Sequence, residues 1–132
     1  MRFTFDTNAL LSATLWDGSV AQKLLFQFIK RRDSIYTTSE ILSEYQEILK
    51  RDFDYTDEEI KRIMEKVFQF ATLIEPKNKL NVVKEDPDDN MIIECAAESK
   101  SDYIITYDRH LLKLEKYADI RIIKPEEAMK MF

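Results

Sequence analysis

The stretch MRFTFDTNALLS, residues 1–12, determines how the rest of the chain is interpreted. Arg2–Phe5 has the composition of a short strand, and Asp6, Thr7 and Asn8 then interrupt the apolar run. A polar segment after a strand is a common place for a turn, because Asp and Asn bond to their own backbone. It is also a common place for catalytic and binding residues. Asp6 alone favours the turn, so the distinction depends on the acids further along.

Short apolar strands alternate with helical patterns along the rest of the chain. Helical spacing of apolar residues, together with capping boxes that begin at Thr37 and Thr56, predicts the helices. Such alternation is typical of a parallel sheet covered on both faces, so we expect one α/β domain over residues 1–132. The predicted strands are 2–5, 34–37, 72–75, 80–83, 103–106 and 120–123, and the predicted helices are 19–32, 38–50, 57–71, 86–99, 111–117 and 125–131.

The composition excludes several classes of protein. The single glycine, Gly18, excludes glycine-rich phosphate loops, and one cysteine with one histidine leaves no zinc cluster or internal disulfide. A net charge of −5 argues against binding to nucleic acid through a large basic face, but not against an enzyme with acids in its site. No stretch approaches the ~20 apolar residues of a membrane span and no signal peptide is evident. We therefore expect a cytoplasmic protein with no membrane partner.

Acidic residues recur at places that the predicted fold brings to one edge of the sheet. Asp6 and Asp108 each follow an apolar strand, and ligands of open parallel sheets bind beyond the carboxyl ends of the strands. In the helix 38–50, a helical wheel makes Glu44 the acid nearest the buried face. Asp89 shares the inward face of the apolar residues that follow it. The sequence therefore predicts a cluster of carboxylates.

Each acid also has a purely structural explanation. Asp86 can cap a helix before Pro87, Asp108 can cap the helix that follows it, and Glu44 can be an ordinary solvated residue. Taken together these explanations weaken, because converging carboxylates repel and raise one another's pKa unless a cation lies between them. Oxygen ligands without His or Cys suit Mg²⁺ or Mn²⁺. Such a site can activate water and stabilise an in-line displacement at phosphorus.

Four segments in this order resemble PIN-domain ribonucleases, in particular the VapC-like toxin components of prokaryotic toxin–antitoxin pairs. The segments are FTFDTNALLSA (3–13), TSEILSEYQEIL (38–49), EDPDDNMIIECA (85–96) and SDYIITYDRHLLKL (101–114). The resemblance covers Arg2 to about Pro125. It implies a three-layer α/β/α fold and Mg²⁺- or Mn²⁺-dependent hydrolysis of RNA. It also implies a cognate antitoxin as protein partner, and a homodimer is common in this family.

The resemblance also implies roles for individual residues. Asp6, Glu44, Asp89 and Asp108 would form the acidic catalytic site, in which Asp6, Asp89 and Asp108 would hold the metal. Asp89 best matches the register of the family, although a shift of one residue would select Asp88 or Asn90. The supporting residues would be Asn8 and Thr106, through hydrogen bonds, together with Asp86 and Asp88.

Some positions depart from the family pattern or have two interpretations. Proteins of this group often carry a further acid two residues after the last Asp, where this chain has His110. Arg109, His110 and Lys113 are predicted substrate contacts, and ordinary surface residues are the alternative. Trp16 is either an aromatic at the edge of the core or a surface on which a nucleobase stacks.

Two other classes of function compete with a nuclease. A PIN-like module that binds RNA or protein without cleaving would keep the fold, but acids at all the expected places disfavour it. A phosphoacceptor or phosphatase domain also places an Asp after the first strand. The phosphatase pattern needs a second Asp where this chain has Asn8, and a receiver needs an Asp after a middle strand, where 37–39 reads Thr-Thr-Ser.

Overall fold

A computed structural model describes all residues, 1–132, as six strands and seven helices. The strands are β1 (Arg2–Phe5), β2 (Ser34–Thr38), β3 (Ala71–Ile74), β4 (Tyr103–Ile105), β5 (Lys116–Tyr117) and β6 (Ile120–Ile123). The helices are α1 (Thr7–Leu15), α2 (Val20–Arg31), α3 (Ser39–Arg51), α4 (Asp57–Phe70), α5 (Asn90–Ser99), α6 (Arg109–Leu114) and α7 (Pro125–Met131), and a 3₁₀ turn at Pro87–Asp89 precedes α5. None of the helices has both the length and the apolar composition that crossing a membrane requires.

The strands form one sheet in the order β3-β2-β1-β4-β6-β5. All neighbouring pairs are parallel except β5 and β6, so the predicted α/β fold is confirmed with an antiparallel edge added. The helix predicted over 111–117 ends at Leu114. The chain then folds β5 back on β6 through a turn in which Ala118 has a φ of 51°. This short hairpin makes β5 one edge strand of the sheet.

Burial on both faces explains why the central strands are nearly continuous apolar runs. One core cluster packs α1, α2 and α7 against the sheet, where Phe3 of β1 and Phe28 of α2 stack with ring centroids 3.8 Å apart. The other cluster packs α5 against the opposite face. Ile104 and Ile105, adjacent on β4, belong to different clusters, as the alternation of a strand requires. The sheet thus lies between two helical layers.

The turn predicted at Asp6 is the start of a helix, α1. Asp6 is the N-cap, and its Oδ1 accepts a hydrogen bond from the Ala9 amide at 2.7 Å. The helix itself is buried on most sides, with Thr7 and Ser12 among its buried residues. It therefore lacks the apolar–polar periodicity that identifies the other helices, which explains why the sequence pattern did not predict it.

Of the two predicted capping boxes, one is present. The Glu59 amide donates to Thr56 Oγ1 at 3.1 Å, and the Thr56 amide donates to Glu59 Oε1 at 3.0 Å. The box predicted at Thr37 is wrong, because β2 continues through Thr38. Thr38 caps α3 instead, accepting from the Ile41 amide at 3.2 Å.

Residues 75–86, between β3 and the 3₁₀ turn, have no regular secondary structure and pair with no strand, so the strand predicted over 80–83 is wrong. Backbone amides of this segment donate hydrogen bonds to side chains of α5 and to no strand. These side chains stand at positions 90, 94 and 98, and a spacing of four places them on one face of the helix. We call this set the α5 clip. Its bonds run from the Lys77 amide to Glu98 (2.9 Å), from the Leu80 amide to Glu94 (2.8 Å), and from the Val82 and Val83 amides to Asn90 (2.9 and 2.8 Å).

Candidate active site

The carboxyl ends of β1 and β4 bring two acidic positions together. Phe5 is opposite Ile105 in the sheet, and the Asp6 amide donates to the Ile105 carbonyl at 3.0 Å. The residues that follow both strands therefore leave the sheet side by side. At this edge Asp6 begins α1 and Asp108 begins α6. This is the edge at which parallel sheets bind ligands.

Asp6 is 5% exposed, and its two oxygens have different partners. Oδ1 accepts from the Ala9 amide, and Oδ2 accepts from the hydroxyl of Thr106. Burial raises the pKa of Asp6 to about 6, against the opposing effect of these two hydrogen bonds, and the charges of Asp108 and Glu44 add to the rise. Asp6 therefore caps a helix and faces other carboxylates at the same time.

Thr106, which is fully buried, connects Asp6 to Asp108. Its Oγ1 donates to Asp6 and accepts from the Asp108 amide at 2.9 Å. Asp108 Oδ1 in turn accepts from the amides of His110 and Leu111 at 2.8 and 3.0 Å, which makes Asp108 the N-cap of α6. One hydroxyl thus sets the relative position of two acids that come from different strands.

Asp86, Asp89 and Asp108 each place a carboxylate oxygen within 4.8 Å of the others. Asp89 Oδ2 is buried and has no hydrogen-bond partner. Burial raises the pKa of Asp89 to about 8; the facing carboxylate of Asp108 and the charges of Asp86 and Asp6 add to this effect. Asp88 is exposed and lies outside this set. Within the acidic segment, Asp86 and Asp89 are therefore the residues that converge with Asp108.

Asn90, the other residue that a shift of register would select, has no free polar atom. Its Oδ1 accepts from the amides of Val82 and Val83, and its Nδ2 donates to the carbonyls of Val83 and Pro87 at 3.0 and 3.1 Å. The side chain is also buried. Asn90 therefore ties the preceding loop to the start of α5, a role that the sequence analysis did not predict.

Glu44 lies on the side of α3 that faces this loop. It is half-buried, whereas Glu40 and Glu47 on the same helix are exposed, as the helical wheel predicted. Burial raises the pKa of Glu44, and the charges of Asp88 and Asp86 raise it further. The negative charges of α3 and of the loop before α5 are therefore close enough to affect each other.

No lysine or arginine neutralises these acids. The ion pairs of the protein involve other residues, so Asp6, Glu44, Asp86, Asp89 and Asp108 have no basic partner. A site of carboxylates alone, with one buried oxygen left unpaired, fits a hard divalent cation such as Mg²⁺ or Mn²⁺. A bound cation would also relieve the repulsion that raises the pKa values of Asp6 and Asp89.

The predicted substrate contacts lie on α6, directly after Asp108. Arg109 and Lys113 are exposed and belong to no ion pair, and His110 is half-buried. A hydrogen bond from its own backbone lowers the pKa of Glu85, which lies in the loop before α5, and the charges of Lys113 and His110 lower this pKa further. Lys113 and His110 are therefore near this loop. These side chains therefore form a basic border beside the acids.

Asn8 does not have the hydrogen bonds that were expected of it. Its side chain is exposed, and no hydrogen bond joins it to the acids. Instead it lines a groove with Trp16, Phe53 and Tyr107, together with Leu11, Ser12, Ile48 and Asp52. We call this the aromatic groove, and its volume is about 460 Å³. Trp16 is 51% exposed and contacts Phe53 edge-on, with ring centroids 6.2 Å apart.

This chain is similar to one protein by sequence and to one solved structure by fold, both over nearly their full length, and it also matches a protein family. A protein of Methanocaldococcus jannaschii, MJ1680, is 28% identical over an alignment of 144 positions, which covers 100% of this chain and 92% of that protein. A chain of the crystal structure of VapBC2 from Rickettsia felis, bound to a DNA fragment from its promoter, has a similar fold with a TM-score of 0.68. Its sequence identity is 14%, and the match covers 94% of this chain and 98% of that one. The PIN domain family matches residues 2–110, which include every acid of the site. The chain therefore belongs to the PIN domain family.

Proposed function

We propose that this protein is a metal-dependent endoribonuclease. The observation that carries the proposal is the convergence of Asp86, Asp89 and Asp108, with Asp6 beside them, without any basic side chain to neutralise them. Maintaining this repulsion costs stability, and a divalent cation removes the cost. PIN domains are generally nucleases, which supports a hydrolytic role for a cation at this site.

The residues have distinct roles in this proposal. Asp89, Asp108 and Asp6 would hold the cation. Asp86, for which the family resemblance implies only a supporting role, would hold it as well. Glu44 would complete the catalytic acids from the α3 side. Mg²⁺ or Mn²⁺, when bound, activates water and offsets negative charge that develops at phosphorus. Thr106 holds Asp6 and Asp108 in register through its hydroxyl.

The substrate we propose is RNA, bound along the basic border of α6. Arg109 and Lys113 are free of intramolecular ion pairs and can therefore bind phosphates, and His110 is beside them. With a net charge of −5, the protein would bind RNA weakly and depend on few contacts. We also propose that it is the toxin of a toxin–antitoxin pair, and both the VapC-like resemblance and the fold of the VapBC2 chain support this role.

The test is a cleavage assay on structured and unstructured RNA with Mg²⁺, Mn²⁺ or EDTA. We expect cleavage with either metal, none with EDTA, and products with 5′-phosphate and 3′-hydroxyl ends. A 2′,3′-cyclic phosphate would contradict the proposal, because it requires attack by the 2′-hydroxyl of the RNA itself. Asp89→Asn should stop cleavage, and Asp88→Asn, a change of the exposed neighbour, should leave most of it.

A further inference from the structure

We propose that the aromatic groove binds one unpaired nucleobase of the RNA next to the bond that is cleaved. This inference rests on the proposed nuclease function and adds a subsite to it. The groove is lined by aromatic side chains from three parts of the chain: Trp16 after α1, Phe53 after α3, and Tyr107 after β4. Its volume of about 460 Å³ lies within the usual range for small-ligand sites.

Two residues that line the aromatic groove are close in the chain to residues of the acidic site. Tyr107 lies between Thr106 and Asp108, and Asn8 lies two residues after Asp6. A nucleotide whose phosphate lies at the acids can therefore reach the groove with its base.

The charges of the groove favour a neutral ring over a phosphate. Its only titratable side chains are Asp52 and Tyr107, and Arg51 already binds Asp52, with Nε 2.9 Å from Oδ1. No basic side chain lines the groove, whereas Arg109 and Lys113 on α6 are free for the backbone phosphates. Every nucleobase has a flat face that stacks on aromatic rings, and such stacking is worth ~1–3 kcal/mol per base.

The same groove has a polar group that can contact the edge of a base. The Asn8 amide is exposed and has no intramolecular hydrogen bond, so its donor and its acceptor are both free. Asn8 and Trp16 line the same groove, so a base that stacks on Trp16 lies beside this amide. Bases are available for such contacts only where the RNA is unpaired. The preferred substrate is therefore a loop or a single strand.

The fluorescence of the protein reports directly on this groove, because Trp16 is the only tryptophan of the chain. The experiment adds a short single-stranded RNA, or the same RNA in a duplex, to the wild-type protein in EDTA and low salt. Binding is measured independently by the polarisation of labelled RNA. We expect the single strand to quench Trp16 and the duplex to leave its emission unchanged. Bound single strand without quenching, or equal quenching by the duplex, would overturn the inference.

Kinetics with variants provide the second measurement. We expect Trp16→Ala to raise KM for unpaired RNA about tenfold and Trp16→Phe to keep most of the affinity. The control Phe26→Ala, a change of a similarly exposed aromatic on α2, should have no effect. A Trp16→Phe protein folds with a ring in place, so it separates stacking from stability. A wild-type KM in Trp16→Ala would overturn the inference, as would a variant whose only defect is resistance to a protein inhibitor. RNA that quenches Trp16 but is never cleaved would instead support the groove and overturn the nuclease.

Discussion

The acids of the site are held in two different ways. Asp6 and Asp108 stand where a strand becomes a helix, and each caps that helix with a carboxylate oxygen. Asp86 and Asp89 precede α5, and neither side chain caps it. Their segment is held instead by the α5 clip, above all by Asn90. The first pair depends on the main chain of the sheet, and the second pair depends on a few side chains.

This difference separates the chemical and structural roles of the acids. Because Asn caps a helix as well as Asp does, the charge of Asp6 or Asp108 can be removed while the cap remains. The positions of Asp86 and Asp89 can be disturbed without touching either acid, because the bonds that hold them belong to another residue. Each half of the comparison can therefore be tested alone.

The largest effect is expected from Asp6→Asn and Asp108→Asn, which should reduce RNA cleavage below detection. Without metal, both proteins should be as stable as the wild type or more stable by ~1 kcal/mol, because one repelling charge is gone. Both should lose most of the stabilisation that Mn²⁺ gives the wild type. Thermal melting with and without Mn²⁺, beside the cleavage assay, measures these effects. Equal destabilisation with and without metal would mean that these residues act only as helix caps.

The next largest effect is expected from Asn90→Ala, which removes four hydrogen bonds of the loop before α5. Leaving buried amides unpaired should cost ~2–3 kcal/mol of unfolding free energy. Mn²⁺ should also bind about tenfold more weakly, because Asp86 and Asp89 lose their fixed position.

The matched control for Asn90→Ala is Glu98→Ala. Glu98 bonds to the same segment from the same face of α5, but at the exposed far end, through the Lys77 amide. It should cost less than ~1 kcal/mol and leave Mn²⁺ binding unchanged. Titration of the melting temperature with Mn²⁺ gives both quantities. Equal loss of Mn²⁺ binding in the two variants would show that the clip acts on the whole fold instead of on the acids.

A moderate effect is expected from pH on the metal-free protein. The pKa values of Asp6 and Asp89 are raised in the folded state, to about 6 and about 8, so their ionised forms are less stable there than in the unfolded chain. The protonated carboxyls therefore add to the stability of the folded protein. This contribution is complete below the unfolded pKa of about 4, and it is lost as the pH rises through the folded pKa, about 6 for Asp6 and about 8 for Asp89.

Melting in EDTA at pH 5.5, 7.0 and 8.5 tests this dependence. We expect stability to fall by ~1–2 kcal/mol over this range, a figure reduced for the partial exposure of Asp89. Asp89→Asn should flatten the upper part of the curve, and saturating Mn²⁺ should oppose the fall, because metal binds the deprotonated acids. Stability that rises with pH in EDTA would contradict the electrostatic description of the site.

The smallest effect is expected at the basic border. Arg109→Glu or Lys113→Glu should weaken RNA binding several-fold and reduce the slope of affinity against salt by about 1. Lys77→Glu is the control, because Lys77 is exposed and lies at the far end of the clip. Lys79 is less suitable, since it pairs with Glu40 and Glu94. RNA polarisation at several salt concentrations gives both numbers, and equal losses at Lys77 would remove α6 from the interface.

The half of the site held by the main chain is also the half that the sequence predicts well. An apolar run followed by an acid is a local pattern, and it placed Asp6 and Asp108 at one edge of the sheet. The helical wheel also uses only local spacing, and it identified Glu44 as the acid of α3 nearest the buried face. The grouping of Asp86 with Asp89 was not predicted, because it depends on bonds from Asn90 to residues seven and eight positions away.

Other differences have equally local causes. α1 is buried on most sides and has no polar face to reveal it. The N-cap of α3 was predicted at Thr37, one residue too early, because Thr37 and Thr38 are chemically alike. Only the length of β2, which continues through Thr38, distinguishes them. The sequence does contain a pattern that indicates the α5 clip. Polar residues recur at intervals of four on a mostly apolar helix, at Asn90, Glu94 and Glu98, and the same pattern can be sought in related chains.

The bond between Thr106 and Asp6 joins residues 100 positions apart, and this separation determines when the protein becomes complete during synthesis. β1 lies between β2 and β4, so its ladder and the acidic edge stay open until residues 103–108 have left the ribosome. At ~5–20 residues per second, that delay after the appearance of Asp6 is about 5–20 s. The nascent chain therefore has no assembled acidic site until its last third has been synthesised, because Asp6 alone brings none of the other acids with it.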